Sequence, residues 1–137
     1  MTRTSGVREL RLVVTADDYD DAVRFYRDVL GMAERLSYSS RDGRVAILEA
    51  GRATLEIADP PHAAFVDQVE VGRRIAGHIR VALEVADTSE AVRRLTEAGG
   101  RLIAEPTVTP WRSLNARLEG PARLQLTLFE ELGPESD

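Results

Sequence analysis

LRLVVTADDYDDAVRFYRDVLG (residues 10–31) and VALEVADTSEAVRRLTEAGG (residues 81–100) are two copies of one local plan, and they decide the fold. Each opens on a stretch whose apolar residues recur at period two: Leu10, Leu12 and Val14 in the first, Val81, Leu83 and Val85 in the second. That alternation predicts a strand with one buried face. Helix starts follow. Asp17, Asp18 and Asp20 crowd the first, and Asp87, Thr88 and Ser89 the second. Such side chains accept hydrogen bonds from free backbone N–H groups and suit the positive end of the helix dipole. Ala22-Val23-Arg24 and Ala91-Val92-Arg93 then occupy the same place in each helix, and Gly31 and Gly99 end them. The helical period puts Ala22, Tyr26, Val29 and Leu30 on one buried face, and Val92, Leu95 and Ala98 on the other.

Further strands are expected outward from these units. In the first half they are residues 33–39, 44–49 and 53–57, with turns at Asp42-Gly43 and Gly51. In the second half they are residues 101–104, 114–118 and 124–129. The chain therefore reads β-α-β-β-β twice, an α+β protein. Its 137 residues suit one domain: module one over about 7–58, a linker over about 59–77 and module two over about 78–130. Asp59-Pro60-Pro61 opens the linker, and the charges between Asp67 and Arg74 read as a solvated segment or a dimer contact.

Composition excludes several functions. There is no cysteine, hence no disulfide, no thiolate metal site and no cysteine nucleophile. That suits a cytoplasmic location. The short polar start, Met1 to Gly6, lacks the apolar stretch of a signal peptide. No apolar run is long enough to span a membrane. A net charge of −5 argues against general nucleic-acid affinity, although every one of the 18 basic residues is Arg. No glycine loop precedes a helix to cradle phosphate, and no serine sits in a nucleophile elbow.

FYRDVLGM, from Phe25, and TPWRSLNARLEGPARLQLTLFEEL, from Thr109, resemble the first-helix signature and the C-terminal segment of the vicinal oxygen chelate (VOC) superfamily, the glyoxalase/bleomycin-resistance group. The resemblance covers roughly Arg8 to Leu132. It implies two βαβββ modules forming one cupped mixed sheet with the helices on its outer face. It also implies four metal-ligand positions in the cup, two from each module. With strand parity, these read Glu9, Glu56, Arg80 and Thr127. Arg has no acceptor and stays protonated, so it cannot be a ligand. No metal and no cofactor are therefore expected, and Arg80 is expected to pair with Glu9 or Glu56. His78 reads as a strand-end residue that a register shift could bring into the cup. His62 lies in the linker with no partner spacing.

A cup without metal still offers a pocket. Trp111 follows Pro110 at a turn and could wall it for a flat ligand. Tyr38, Phe65, Arg112, Asn115, Arg117, Gln125 and Phe129 are the other candidates, with Glu9, Glu56, Arg80 and Thr127. Three functions compete. The first is a non-catalytic binder of an aromatic small molecule, such as an antibiotic-sequestering protein, working as a homodimer as the resemblance implies. The second is a metal-dependent lyase, isomerase or dioxygenase. The third is a metal-free enzyme with Glu56 or Glu9 as base and Arg80 holding an anionic substrate.

Overall fold

β1 (Glu9–Thr15), α1 (Tyr19–Val23), β2 (Glu34–Ser40), β3 (Gly43–Ala50) and β4 (Ala53–Ala58) make the first module. β5 (Ile79–Glu84), α3 (Thr88–Glu97), β6 (Arg101–Val108), β7 (Ser113–Glu119) and β8 (Gln125–Glu131) make the second. Between them lies α2 (Pro60–Glu70). These come from a computed structural model that describes residues 6–29, 31–120 and 123–134. Leu30, expected on the buried face of α1, falls outside the described residues.

The eight strands form one curved mixed sheet in the order β2-β3-β4-β1-β5-β8-β7-β6. β1 runs parallel to β4, β5 parallel to β8, and β1 antiparallel to β5. The order is palindromic in module terms, with an approximate two-fold axis at the β1/β5 pair, where Leu12 faces Val81. Asp18 and Asp87 cap the two outer helices as their positions predict, accepting from the backbone N–H groups of Asp21 and Glu90.

Each outer helix covers its own half of the convex face. Tyr19 and Val23 pack on Ala46, Leu48 and Ile57; Ala91 and Val92 pack on Ala116, Leu118 and Leu128. α1 continues as a π-helical stretch, Arg24–Val29. A π turn takes more residues per turn than an α turn, so it rotates later side chains off the α-helical face. Val29, expected in the core, is thereby 65% exposed, while Ala22 and Tyr26 do pack against the core. Leu95, expected on the buried face of α3, is exposed as well. Between the two helices the convex face of β1 and β5 is left bare. Leu10, Leu12 and Ile79 are exposed there, beside half-buried Val81 and Leu83.

The linker departs most from expectation. Asp59 caps α2, accepting from the His62 N–H, and prolines fill its first turn. The helix packs on β3 and β7, on the concave side of the sheet. Val66, Asp67 and Glu70 are buried beneath it, so this segment is not a solvated connection. Gly43 makes the close approach possible: its φ is +111°, and a Cβ there would collide with the His62 backbone. Among the described residues, no helix is long and apolar enough to cross a membrane.

Candidate functional site

The floor of the cup is set by strand register. Val13 lies opposite Glu56 on one side and Arg80 on the other, so these three side chains form a row across β4, β1 and β5. Val13 pairs with Glu56 on β4 as Ala82 pairs with Thr127 on β8, and the same offset makes Arg11 the counterpart of Arg80. The separation of Arg11 from Arg80 is also that of the two helix caps, Asp18 and Asp87. Arg11 lines the cavity and Glu9 does not. The four symmetry-related positions are thus Arg11, Glu56, Arg80 and Thr127.

On the first module's side Arg11 is the hub. Its Nε donates to Glu9 at 3.1 Å, Nη1 to Glu56 at 3.4 Å and Nη2 to Glu131 at 3.4 Å. Its guanidinium also lies 4.7 Å from the centre of the Phe129 ring. Glu9 takes a second hydrogen bond from Arg35, at 3.0 Å. Burial pushes the Glu9 carboxyl up, but its two arginines carry it below the usual range.

On the second module's side the hub is α2. Glu70 Oε1 accepts from Arg117 Nη2 at 2.9 Å and from the Thr127 hydroxyl at 3.1 Å; its Oε2 accepts from Asn115 at 2.9 Å. Arg117 Nη1 reaches Asp67 at 2.8 Å and Gln125 at 2.6 Å. Asp67 in turn accepts from Arg74 and from the backbone N–H groups of Ile75 and Ala76. Arg117 is 0% exposed, and Asp67 and Glu70 are almost as deeply buried. The network welds α2 and the segment entering β5 to the second module.

Arg80 does not behave as expected. Among the described residues no carboxylate lies within ion-pair reach of it, and its hydrogen bond is from Nη1 to the Thr127 hydroxyl, at 3.0 Å. Arg11 makes the pairing with Glu9 and Glu56 that was expected of Arg80, because Arg11 shares β1 with Glu9 and lies next to Glu56 on β4, whereas Arg80 on β5 is one strand further from each. Burial pushes the Arg80 guanidinium below its ordinary pKa, with Glu70 partly opposing that.

The cavity above this floor measures about 880 Å³. Tyr38, Glu56, Phe65, Arg80, Trp111, Arg112, Asn115, Thr127 and Phe129 line it; Glu9, Arg117 and Gln125 do not. Asn115 and Thr127 face it while bonded to Glu70, and Tyr38 is largely exposed on β2. An aromatic wall stands over one side. The Trp111 ring is 6.2 Å from that of Phe65, which is 6.2 Å from the His62 imidazole. Arg112, at φ 64°, makes the turn that presents Trp111. His62, set aside on sequence grounds, is half-buried in the lining, and burial lowers its pKa with Arg80 adding to the effect. His78 stays at the strand end against the Thr15 carbonyl, outside the lining.

The model of the Glyoxalase/Bleomycin resistance protein/Dioxygenase superfamily matches residues 10–128. The chain belongs to this superfamily. Solved VOC structures share its fold. A methylmalonyl-CoA epimerase from Mycobacterium tuberculosis is 23% identical, with a TM-score of 0.69 over 98% of this chain and 94% of that one. A variant of the Streptomyces coelicolor methylmalonyl-CoA epimerase, in complex with 2-nitronate-propionyl-CoA, is 20% identical at a TM-score of 0.66, covering 97% and 100%. A superfamily member from Vibrio splendidus 12B01 is 13% identical at 0.62, covering 90% and 98%. No curated protein matches the chain.

The metal that the VOC resemblance implies can be tested against the donors present. Two of the four positions are guanidiniums, one is a hydroxyl already bonded to Glu70, and the fourth is Glu56 beside Arg11. Divalent metals need neutral imidazole or anionic oxygen donors. One carboxylate between two cations does not fit such an ion. Elemental analysis of protein purified without chelator should find well under one transition metal per chain. A stoichiometric metal lost on Glu56→Gln would overturn this assignment.

Proposed function

We propose that the protein is a metal-independent binder of a small aromatic molecule, held in the cup and sequestered there. The observation that carries this reading is the combination of two floor arginines at the ligand positions with the Trp111–Phe65–His62 wall above them. A small-molecule ligand also agrees with the epimerases of this fold that are solved in complex with one. Trp111 is the only Trp, so its fluorescence reports on the site. Titration with polycyclic or peptide antibiotics, on metal-free protein, should quench it. A stacked aromatic contributes about 0.5–1.5 kcal/mol beyond burial, so Trp111→Ala should weaken binding by roughly 2- to 13-fold with the fold intact. Unchanged affinity, measured by calorimetry, would remove Trp111 from the site.

A second reading rests on the Glu56–Val13–Arg80 row. An anion on Arg80 would place its neighbouring carbon over Val13, toward Glu56 as base. Deuterium uptake from heavy water into a bound carbon acid, lost on Glu56→Gln, would select this metal-free proton transfer over sequestration.

The bare convex strip of Leu10, Leu12 and Ile79 supports a homodimer packed back to back through β1 and β5. A two-fold partner would bring the same apolar strip and leave both cups open. Light scattering should give twice the 15.1 kDa chain mass. Leu12→Glu should give the monomer, and a monomeric parent protein would end the proposal. The absence of cysteine supports a cytoplasmic location.

A further inference from the structure

Three arginines lie on or under the floor of the cup, and two of them show how this fold satisfies a guanidinium. Arg11 bonds carboxylates through Nε, Nη1 and Nη2. Arg117 bonds Glu70, Asp67 and Gln125 through the same three nitrogens. Arg80 differs from both. Its Nη1 donates to Thr127, and its Nε and Nη2 have no acceptor among the described residues. Those two nitrogens are not sealed in the protein, since among the described residues Thr54 Oγ1 is the one buried side-chain polar atom without a partner. Arg80 itself lines the cavity.

The free groups are not an arbitrary pair. Nε and Nη2 form the side edge of the guanidinium, with two parallel N–H bonds. A carboxylate meets that edge with both oxygens at once. Among the described residues, the neighbouring carboxylates could turn to it only by breaking bonds already made. Glu70 spends both oxygens on Arg117, Thr127 and Asn115, Asp67 on Arg117, Arg74 and two backbone N–H groups, and Glu56 faces Arg11. The connected network holds Arg74, Arg80 and Arg117 against Asp67 and Glu70, one cation in excess. Thr127 fixes the guanidinium from behind, which leaves the edge pre-oriented before any ligand arrives.

We propose that the cup selects carboxylates, the ligand's carboxylate lying side-on against Nε and Nη2 of Arg80 while its planar body runs under Trp111 and Phe65. The proposal rests on the reading of the cup as a binding site and names the class of molecule it takes. His62, whose pKa burial lowers against the opposing pull of Asp59, lines the same space.

The probe pair is 2-naphthoate and its neutral near-isostere 2-naphthamide, each titrated into the full chain at pH 7 with Trp111 fluorescence as readout. The naphthoate should bind at least tenfold more tightly. Raising the salt concentration should weaken the naphthoate alone. Arg80→Met should erase the difference between the two probes. Arg80→Lys, which keeps a charge but not the paired edge, should retain only part of it. The wild-type comparison needs no variant to fold. Equal affinity for the two probes would overturn the carboxylate assignment and leave the aromatic cup standing. Failure of both to bind at millimolar concentration would overturn the two together. A preference that survives in Arg80→Met would move the anion to another residue and refute the role of Arg80.

Discussion

Arg117→Met is expected to lower the free energy of unfolding by about 3–5 kcal/mol, the usual loss when one member of a buried ion pair is removed. The side chain is completely buried, and its three nitrogens hold Asp67, Glu70 and Gln125. Truncation would leave buried Glu70 without its ion-pair partner and Asp67 with Arg74 and two backbone N–H groups. Domains of this size are stable by about 5–15 kcal/mol in total, so the variant should stand close to unfolding. Urea titration with a far-ultraviolet signal gives the number. A loss under about 1 kcal/mol would show that the network is not what fastens α2 into the cup. Adding Glu70→Gln to Arg117→Met should recover part of the loss, because it removes a charge that the first change left unpaired. If the double variant is the worse of the two, the cost lies in lost packing instead.

Arg117 also shows where reading the sequence stops. Strand parity places it on the concave side correctly, since Leu118 and Ala116 beside it are in the convex core. What parity cannot show is the helix lying on top. α2 had visible signals: a capping Asp59, prolines in the first turn, and Asp67 and Glu70 three residues apart, hence on one helical face. They read as a linker because Pro-Pro also marks a turn and because charged residues are normally solvated. The partners that justify burying Asp67 and Glu70 lie 47 to 57 residues away, on β7 and β8, and no local pattern points to them.

The identity of the floor residues was limited differently. A strand pattern of period two fixes which face a residue takes, but a slip of two residues preserves every face. Aligning the two halves by their strands alone makes Glu9 the mate of Arg80, whereas the helix caps and the β1/β4 and β5/β8 registers make it Arg11. The repeat, the sheet and the two outer helices were legible because each rests on a local period or cap. Val29 was misplaced because nothing in RFYRDV announces a π turn.

Asp67→Asn is expected to be the second severe change, and its effect should depend on pH. The Asp67 carboxylate is 1% exposed and accepts from Arg117, Arg74, Ile75 N and Ala76 N. Burial alone would raise its pKa, but the two backbone N–H groups and the two arginines together bring it down to about 2. In the unfolded chain it returns to about 3.9. A group depressed in the folded state contributes stability that is fully present above the unfolded value and is lost as pH falls through the folded one. The window is therefore about pH 4 down to about pH 2, and the contribution is on the order of 2 kcal/mol. Asn cannot ionise, and it turns an N–H₂ toward groups that are themselves donors. At pH 7 the variant should lose about 3–5 kcal/mol, as when a buried charge loses its partner. Other depressed carboxylates, Glu9 and Asp59 among them, also titrate in acid, so the quantity to measure is the gap between the two proteins. Urea midpoints at pH 7, 4, 3 and 2 should show that gap constant down to about pH 4 and narrowing below it. A gap that stays constant to pH 2 would mean that Asp67 carries no charge-dependent stability, and that Asn weakens the protein through the lost hydrogen-bond geometry alone.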